Sequence, residues 1–208
     1  MRNASGFRAF FRAYFRSSEI SAINADLVGS RCRVRVFSTR SIAAMSNRYA
    51  FERGIPTLPG CARSTMSLRF DGKFLSMHGG AHTHTYHAVS GRPDGTGTFQ
   101  YMMERQRQRD AGSIPQGRYW VQPSQLWTNR WFKSGSRAAW GNYRLAIHVW
   151  PGTQTYGRGG FFIHGGARPG SAGCIDLHSA MDRFVADLRE ATSSASHCYI
   201  SLTVHYPT

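Results

Sequence analysis

The sequence predicts a mainly β fold, a β-sandwich carrying one principal α-helix near its C-terminal end. Three observations carry this prediction. From Met66 onward, short apolar or alternating runs recur between Gly, Pro and Asp-Gly punctuation. Gly is frequent, at 22 of 208 residues, as a fold with many turns and close backbone approaches requires. Only one stretch, Ser179 to Thr192, repeats its apolar residues with a convincing helical period.

In chain order, residues 67–77 read as two short strands around Asp71-Gly72, a dipeptide suited to the positive φ angles of a two-residue type I′ turn. His84 to Ser90 is a further strand, ended by Gly91-Arg-Pro-Asp-Gly95. Ile114-Pro-Gln-Gly117 is a turn, and Arg118 to Gln122 is the strand after it. The segment Trp127 to Trp140, with Gly and Ser punctuation, reads as a lid. Asn142 to Trp150 is a strand closed by Pro151-Gly152. Gly160 to His164 is a short apolar run suited to a buried strand that delivers His164 at its end. In the helix, Met181, Phe184, Val185 and Leu188 form one stripe, and Ser179 with Asp182 resembles a capping box. His197 to Tyr206 alternates cleanly, with Ile200, Leu202, Val204 and Tyr206 on one face.

Residues 1–65 read differently and are expected to be an Arg-rich extension outside the fold, with 66–208 as the folded domain. Phe7 to Phe15 suits a short amphipathic helix, Arg31 to Phe37 an exposed strand, and Met45 and Met66 are alternative starts. No run of eighteen apolar residues occurs, so no membrane-spanning helix and no stable membrane insertion are expected. Met1 to Ser18 lacks the continuous apolar stretch of a secretory signal, which implies synthesis in the cytoplasm without one.

Formal net charge is +15 and the pI about 10.7, which invites a nucleic-acid-binding reading. Only Lys73 and Lys133 are lysines among 26 basic residues, a bias that nucleotide composition of the gene explains as well as a basic surface does. No helix-turn-helix, zinc-finger or RNA-recognition signature accompanies the arginines, so no nucleic acid is expected as partner. Such a module is the competing class, and it predicts a salt-steep affinity. The cysteines Cys32, Cys61, Cys174 and Cys198 fit neither a zinc ribbon nor a C-x-x-C redox motif, and read as free thiols. His78, His82, His84 and His87 crowd into one segment, and in a strand His82 and His84 face the same side. No carboxylate or Cys completes a ligand set within the cluster, so it reads as a surface strand, and no metal or cofactor is expected.

The stretch that carries chemistry is Phe161-Phe-Ile-His-Gly-Gly-Ala-Arg-Pro-Gly-Ser-Ala-Gly-Cys-Ile-Asp-Leu177. A thiol is a weak nucleophile until a base or a positive environment makes thiolate. The Gly/Pro-rich loop is flexible enough to fold back and bring the imidazole of His164 to the sulfur of Cys174. Backbone N–H groups around Gly173 and Cys174 are candidates for binding an oxyanion, because the small Ala172-Gly173 pair lets substrate approach closely. His148 is the second choice of base, His178 is expected to face solvent, and Cys198 is read as structural. Arg158 and Arg168 flank the loop and read as solvated arginines with the fork to meet a carboxylate. A papain-like protease shares the Cys/His chemistry, but its local cysteine signature is absent. These residues alone leave the reaction open among Cys/His hydrolases acting on peptides.

The same segment resembles the active-site signature of L,D-transpeptidases of the YkuD type, where His-Gly is followed by a Ser/Thr-His-Gly-Cys box. Here His164-Gly165 is followed by Ser171-Ala172-Gly173-Cys174, with a shorter interval and with Ala172 in place of the box histidine. Both departures resemble the divergent Tlde1 family of type VI secretion effectors. So do the Asp71-Gly72 hairpin, Ile114-Pro-Gln-Gly-Arg-Tyr-Trp120 and Gly173-Cys-Ile-Asp-Leu177. The resemblance covers roughly Met66 to Tyr206. It implies an L,D-transpeptidase-like domain acting on peptidoglycan tetrapeptide stems as an L,D-carboxypeptidase, an L,D-transpeptidase exchanging D-amino acids, or both. It also implies delivery into the periplasm of a target bacterium, with a cognate immunity protein and secretion-apparatus components as partners. Cys174 then corresponds to the nucleophile, His164 to its base and Gly173 to part of the oxyanion site. Gly165, Arg168, Ser171 and Asp176 are the further candidates for substrate binding. Ala172 leaves the orientation of the His164 ring to another group, with a backbone carbonyl as the candidate.

Overall fold

The computed structural model describes residues 48–79, 82–129, 134–193 and 198–207. It is mainly β, with eleven strands in two mixed sheets. The strands are β1 (Arg63–Phe70), β2 (Phe74–His78), β3 (His84–His87), β4 (Val89–Ser90), β5 (Gly117–Val121), β6 (Trp127–Thr128), β7 (Tyr143–Ala146), β8 (His148–Val149), β9 (Phe162–His164), β10 (Ile175–Asp176) and β11 (Tyr199–Val204). The first sheet runs in the order β3-β2-β1-β11-β5-β8, and the second in the order β4-β10-β9-β7-β6. Each contains one parallel pair, β1 with β11 in the first and β9 with β10 in the second. The helices are α1 (residues 48–53), α2 (Met103–Arg107), α3 (Ser134–Trp140) and α4 (Met181–Ala191). Among the described residues no helix is long and apolar enough to cross a membrane.

One hydrophobic core joins the two sheets and α4. Leu68, Phe70, Leu75, Met77, Ile200 and Leu202 enter it from the first sheet, and Leu145, Ile163 and Ile175 from the second. Phe184, Val185 and Leu188 enter it from α4, as their spacing predicts. The capping box does not form. The N-cap of α4 is Ala180 without a side-chain cap, and Asp182 instead accepts a hydrogen bond from Asn142 Nδ2 at 2.8 Å.

Two expected strands each divide between the sheets. His84 to Ser90 breaks at Ala88 into β3 of the first sheet and β4 of the second, and Asn142 to Trp150 breaks at Ile147 into β7 and β8. Ala88 and Ile147 are both buried at these corners, and Ile147 N–H is held by the carbonyl of Phe161 at 2.9 Å. A continuous apolar run therefore serves two layers. The β1–β2 hairpin forms where expected, but its turn runs Asp71 to Phe74 with Gly72 alone at positive φ, so it is not type I′. The carboxylate of Asp71 closes it by accepting from the N–H groups of Lys73 and Phe74, both at 2.8 Å.

The expected boundary at Met66 falls inside β1, and residues 48–65 pack with the sheets. Phe51 of α1 lies edge-on to Phe162 at 5.1 Å, its carbonyl accepts from Gly160 N–H, and Thr57 carbonyl accepts from Trp120 Nε1. The physical reason is that β1 starts at Arg63 to pair with Tyr199 of β11. The segments Phe7 to Phe15 and Arg31 to Phe37 lie outside the described residues.

Candidate active site

Strands β9 and β10 place the two candidate residues on neighbouring strands, with no hydrogen bond between Cys174 Sγ and His164 Nε2. Their parallel register pairs Ile163 with Ile175 and His164 with Asp176. Both isoleucines point into the core, so the alternate residues Phe162, His164, Cys174 and Asp176 share the opposite face. Cys174 and His164 are thus diagonal neighbours across two adjacent strands, the arrangement in which side chains on one sheet face meet.

The ring of His164 is held in one tautomer. Its Nδ1 lies 2.6 Å from the carbonyl oxygen of Gly165, which only accepts, so Nδ1 carries the proton. The backbone carbonyl thus takes the orienting role that Ala172 leaves open. In the neutral ring Nε2 is then a free lone pair, and it is buried with no hydrogen-bond partner. Trp140 packs edge-on against the ring with centroids 5.0 Å apart. On the other side, Asp176 Oδ1 is 4.0 Å from Nδ1.

Cys174 is free and 7% exposed. Burial pushes its thiol up to about 12, with Asp176 adding to the shift, against the opposing N–H of Phe162 and the charge of Arg158. Phe162 N–H points at Sγ from 3.3 Å, and Gly160 carbonyl lies 4.0 Å away. At neutral pH the sulfur is therefore a thiol, and to act as a nucleophile it requires a base to remove its proton. α4 begins at Met181, seven residues on, and takes no part in this.

Arg158 is not the solvated loop residue expected from sequence. It is buried, and its guanidinium organises three loop segments at once. Nη1 donates to the carbonyls of Gln106 and Ser113, and Nη2 donates to Gly112 at 2.7 Å and to Ala172 at 3.3 Å. Burial works against its charge, yet an arginine this basic stays protonated and sets a positive field beside Sγ. It also explains Gly173: φ is +112°, and a Cβ there would collide with Arg158 Nη2. Gly173 is buried, and its N–H donates to no acceptor among the described residues, the condition of an oxyanion donor.

A family model for the Tlde1 domain matches residues 84–197, more than half of the chain. The chain belongs to the Tlde1 family. Membership supports the broad expectation of a type VI secretion effector. No curated protein matches the chain. The matched span contains His164, Cys174 and the whole five-stranded sheet, while β1, β2 and β11 of the six-stranded sheet lie outside it.

Within the Tlde1 domain the other expected site residues divide by what they touch. Asp176 is fully occupied inside the protein: Oδ2 accepts from Gly170 N–H at 2.9 Å and Oδ1 from His178 N–H at 2.8 Å. It clamps the His164–Cys174 loop. Ser171 Oγ donates to the carbonyl of Cys174 at 2.8 Å, fixing the turn that presents this cysteine. Gly165 is pressed against His178 and Met181, where a Cβ would be within 3 Å of both. Arg168 is exposed on the loop. His148 stands on β8 of the six-stranded sheet, stacked on Trp120 at 4.0 Å and bonded to Gln125 Oε1 at 2.6 Å. Burial pushes it down to about 4, so it is neutral and engaged elsewhere. His178 is half-buried at φ +50°, with Nε2 3.2 Å from the carbonyl of Ala167. In the histidine cluster, His84 Nδ1 meets a carboxylate from far along the chain, Asp187 of α4, at 3.3 Å. That oxygen also accepts from Tyr86 Oη at 2.6 Å.

Proposed function

We propose that the protein is a cysteine-dependent enzyme acting on peptidoglycan tetrapeptide stems, as an L,D-carboxypeptidase, an L,D-transpeptidase exchanging D-amino acids, or both. The observation that carries this reading is the pairing of β9 with β10, which puts the buried thiol of Cys174 and the unengaged Nε2 of His164 on one face.

In the proposed reaction Sγ of Cys174 attacks the carbonyl at the L-centre of diaminopimelate while His164 Nε2 takes the thiol proton. The carbonyl oxygen becomes an oxyanion against the N–H of Gly173, and Arg158 supplies positive charge nearby. The intermediate collapses by breaking the C–N bond to D-Ala, and the imidazolium returns its proton to the leaving amine. A thioester on Cys174 remains. Water then attacks it, giving the tripeptide, or the amine of a D-amino acid does, giving the exchanged tetrapeptide. His164 removes the proton of either nucleophile and returns one to sulfur. Asp176 stabilises the transient imidazolium at each stage.

As a type VI effector the protein acts in the periplasm of the target bacterium, where the stem peptides are. A cognate immunity protein and components of the secretion apparatus are its expected partners. The test is incubation of the full chain, wild type and Cys174→Ala, with disaccharide-tetrapeptide, with and without D-Met, read by mass spectrometry. Loss of terminal D-Ala, or its replacement by D-Met, is expected in the wild type alone. An unchanged tetrapeptide with folded wild-type protein would reject the reading.

A further inference from the structure

Four strands of the second sheet carry a row of side chains across one face. The register pairs Trp127 of β6 with Arg144 of β7, Arg144 with His164 of β9, and His164 with Asp176 of β10. His164 therefore has a carboxylate on one side and a guanidinium on the other. The carboxylate of Asp176 is taken up by two backbone N–H groups. Arg144 is in the opposite condition.

Among the described residues the guanidinium of Arg144 is held by aromatic rings alone. Its Cζ lies 4.5 Å from the ring centre of Trp127, 5.4 Å from Phe162 and 5.5 Å from Trp140. Its Nε is buried without a hydrogen-bond partner, and no carboxylate lies within ion-pair distance among the described residues. Trp127, which forms one wall of the stack, is 59% exposed. Stacking fixes the plane of the fork while leaving its donors unspent, the state suited to bidentate binding of an incoming carboxylate. Arg158, by contrast, spends its donors on four carbonyls.

We infer that Arg144 is the specificity-determining residue that binds the terminal carboxylate of the substrate's leaving D-amino acid. The inference rests on the reaction proposed above. For His164 to protonate the leaving amine, that nitrogen has to sit at the imidazole. The carboxylate of a C-terminal amino acid is only one carbon away from its own amine. A cation on the adjacent strand, about 5 Å across the sheet, is therefore where that carboxylate arrives. In exchange the same fork holds the carboxylate of the incoming D-amino acid, with its amine at His164. The site thus selects a chain end over an internal peptide bond.

The experiment compares the full-length wild type, Arg144→Gln and Arg144→Lys on two substrates, the disaccharide-tetrapeptide and its C-terminal carboxamide. The wild type is expected to prefer the free acid by about 100-fold in kcat/KM, the scale of one charge-assisted bidentate contact. Arg144→Gln loses that preference mainly through the acid, leaving the amide rate within a fewfold, and Arg144→Lys retains part of it. Using the acid-to-amide ratio within each variant removes any difference in folded fraction. Equal treatment of both substrates by the wild type, or an equal fall on both in Arg144→Gln, would overturn the inference while the reaction stands. A wild type inactive on both substrates would reject the reaction itself, and the inference with it.

Discussion

The two sheets share one core but hold themselves together by different means. In the six-stranded sheet β1 has eight residues and β11 six, and the central ladder runs through both with Phe70 opposite Val204 and Leu202 opposite Tyr119. In the five-stranded sheet, described strands have two to four residues. A ladder that short fixes little backbone, and charged side chains buried beside it complete the work. Arg158 ties four carbonyls and Asp176 ties two N–H groups, and between them they hold the loop at Gly170 and Ala172, just before Cys174. The lesson is one of placement. Long strands give the core, and short strands with side-chain clamps carry a thiol, an imidazole and a guanidinium on neighbouring positions of one face.

If this division holds, substitutions in the two sheets separate function from stability. The largest effect falls on His164→Ala, which is expected to lower turnover per folded molecule by roughly 1,000-fold, far more than the stability lost with a buried, hydrogen-bonded ring accounts for. A matching collapse of stability would make His164 a packing residue instead. Next comes Arg158→Met, which strands four buried carbonyls and is expected to cost about 4 kcal/mol in urea unfolding. It also lowers turnover per folded molecule, because the positive field beside Cys174 goes with it. Leu202→Ala in the six-stranded sheet is expected to cost about 3 kcal/mol by opening a cavity, with turnover per folded molecule unchanged. Equal loss of turnover in Leu202→Ala and Arg158→Met would erase the distinction between the sheets.

The smallest effect is a pH profile. Burial raises the Cys174 thiol, so thiolate is scarce near neutrality and grows as pH climbs toward about 12. Alkylation of Cys174 by iodoacetamide in the free protein should still be rising well above pH 9, where an unperturbed cysteine of pKa about 8.5 is already levelling off. A plateau near pH 7 would mean a preformed thiolate–imidazolium pair, and the base would then have no proton to remove on attack.

The six-stranded sheet was the more legible of the two in the sequence, because alternation in Tyr199–Val204 and the Asp71-Gly72 turn are local signals. The corners at Ala88 and Ile147 were not, since an apolar run looks the same whether one sheet or two bury it. Cys174 and His164 stood out through the Gly-rich loop between them. Their partners did not: the clamp of Arg158 on Gln106, Gly112 and Ser113 joins residues some fifty positions apart, and no local pattern announces it. Arg144 had a faint signal. In a strand whose Leu145 is buried, its neighbour faces the other way, onto the face that Phe162 and His164 share.

The central claim is that Cys174 carries the acyl group of the stem peptide. Its most direct test is acid quenching of the full-length wild type during turnover of disaccharide-tetrapeptide, followed by peptide mapping. The account predicts a thioester on Cys174 with the mass of the muropeptide less D-Ala, absent from Cys174→Ala. Steady release of D-Ala at the wild-type rate by Cys174→Ala would contradict it.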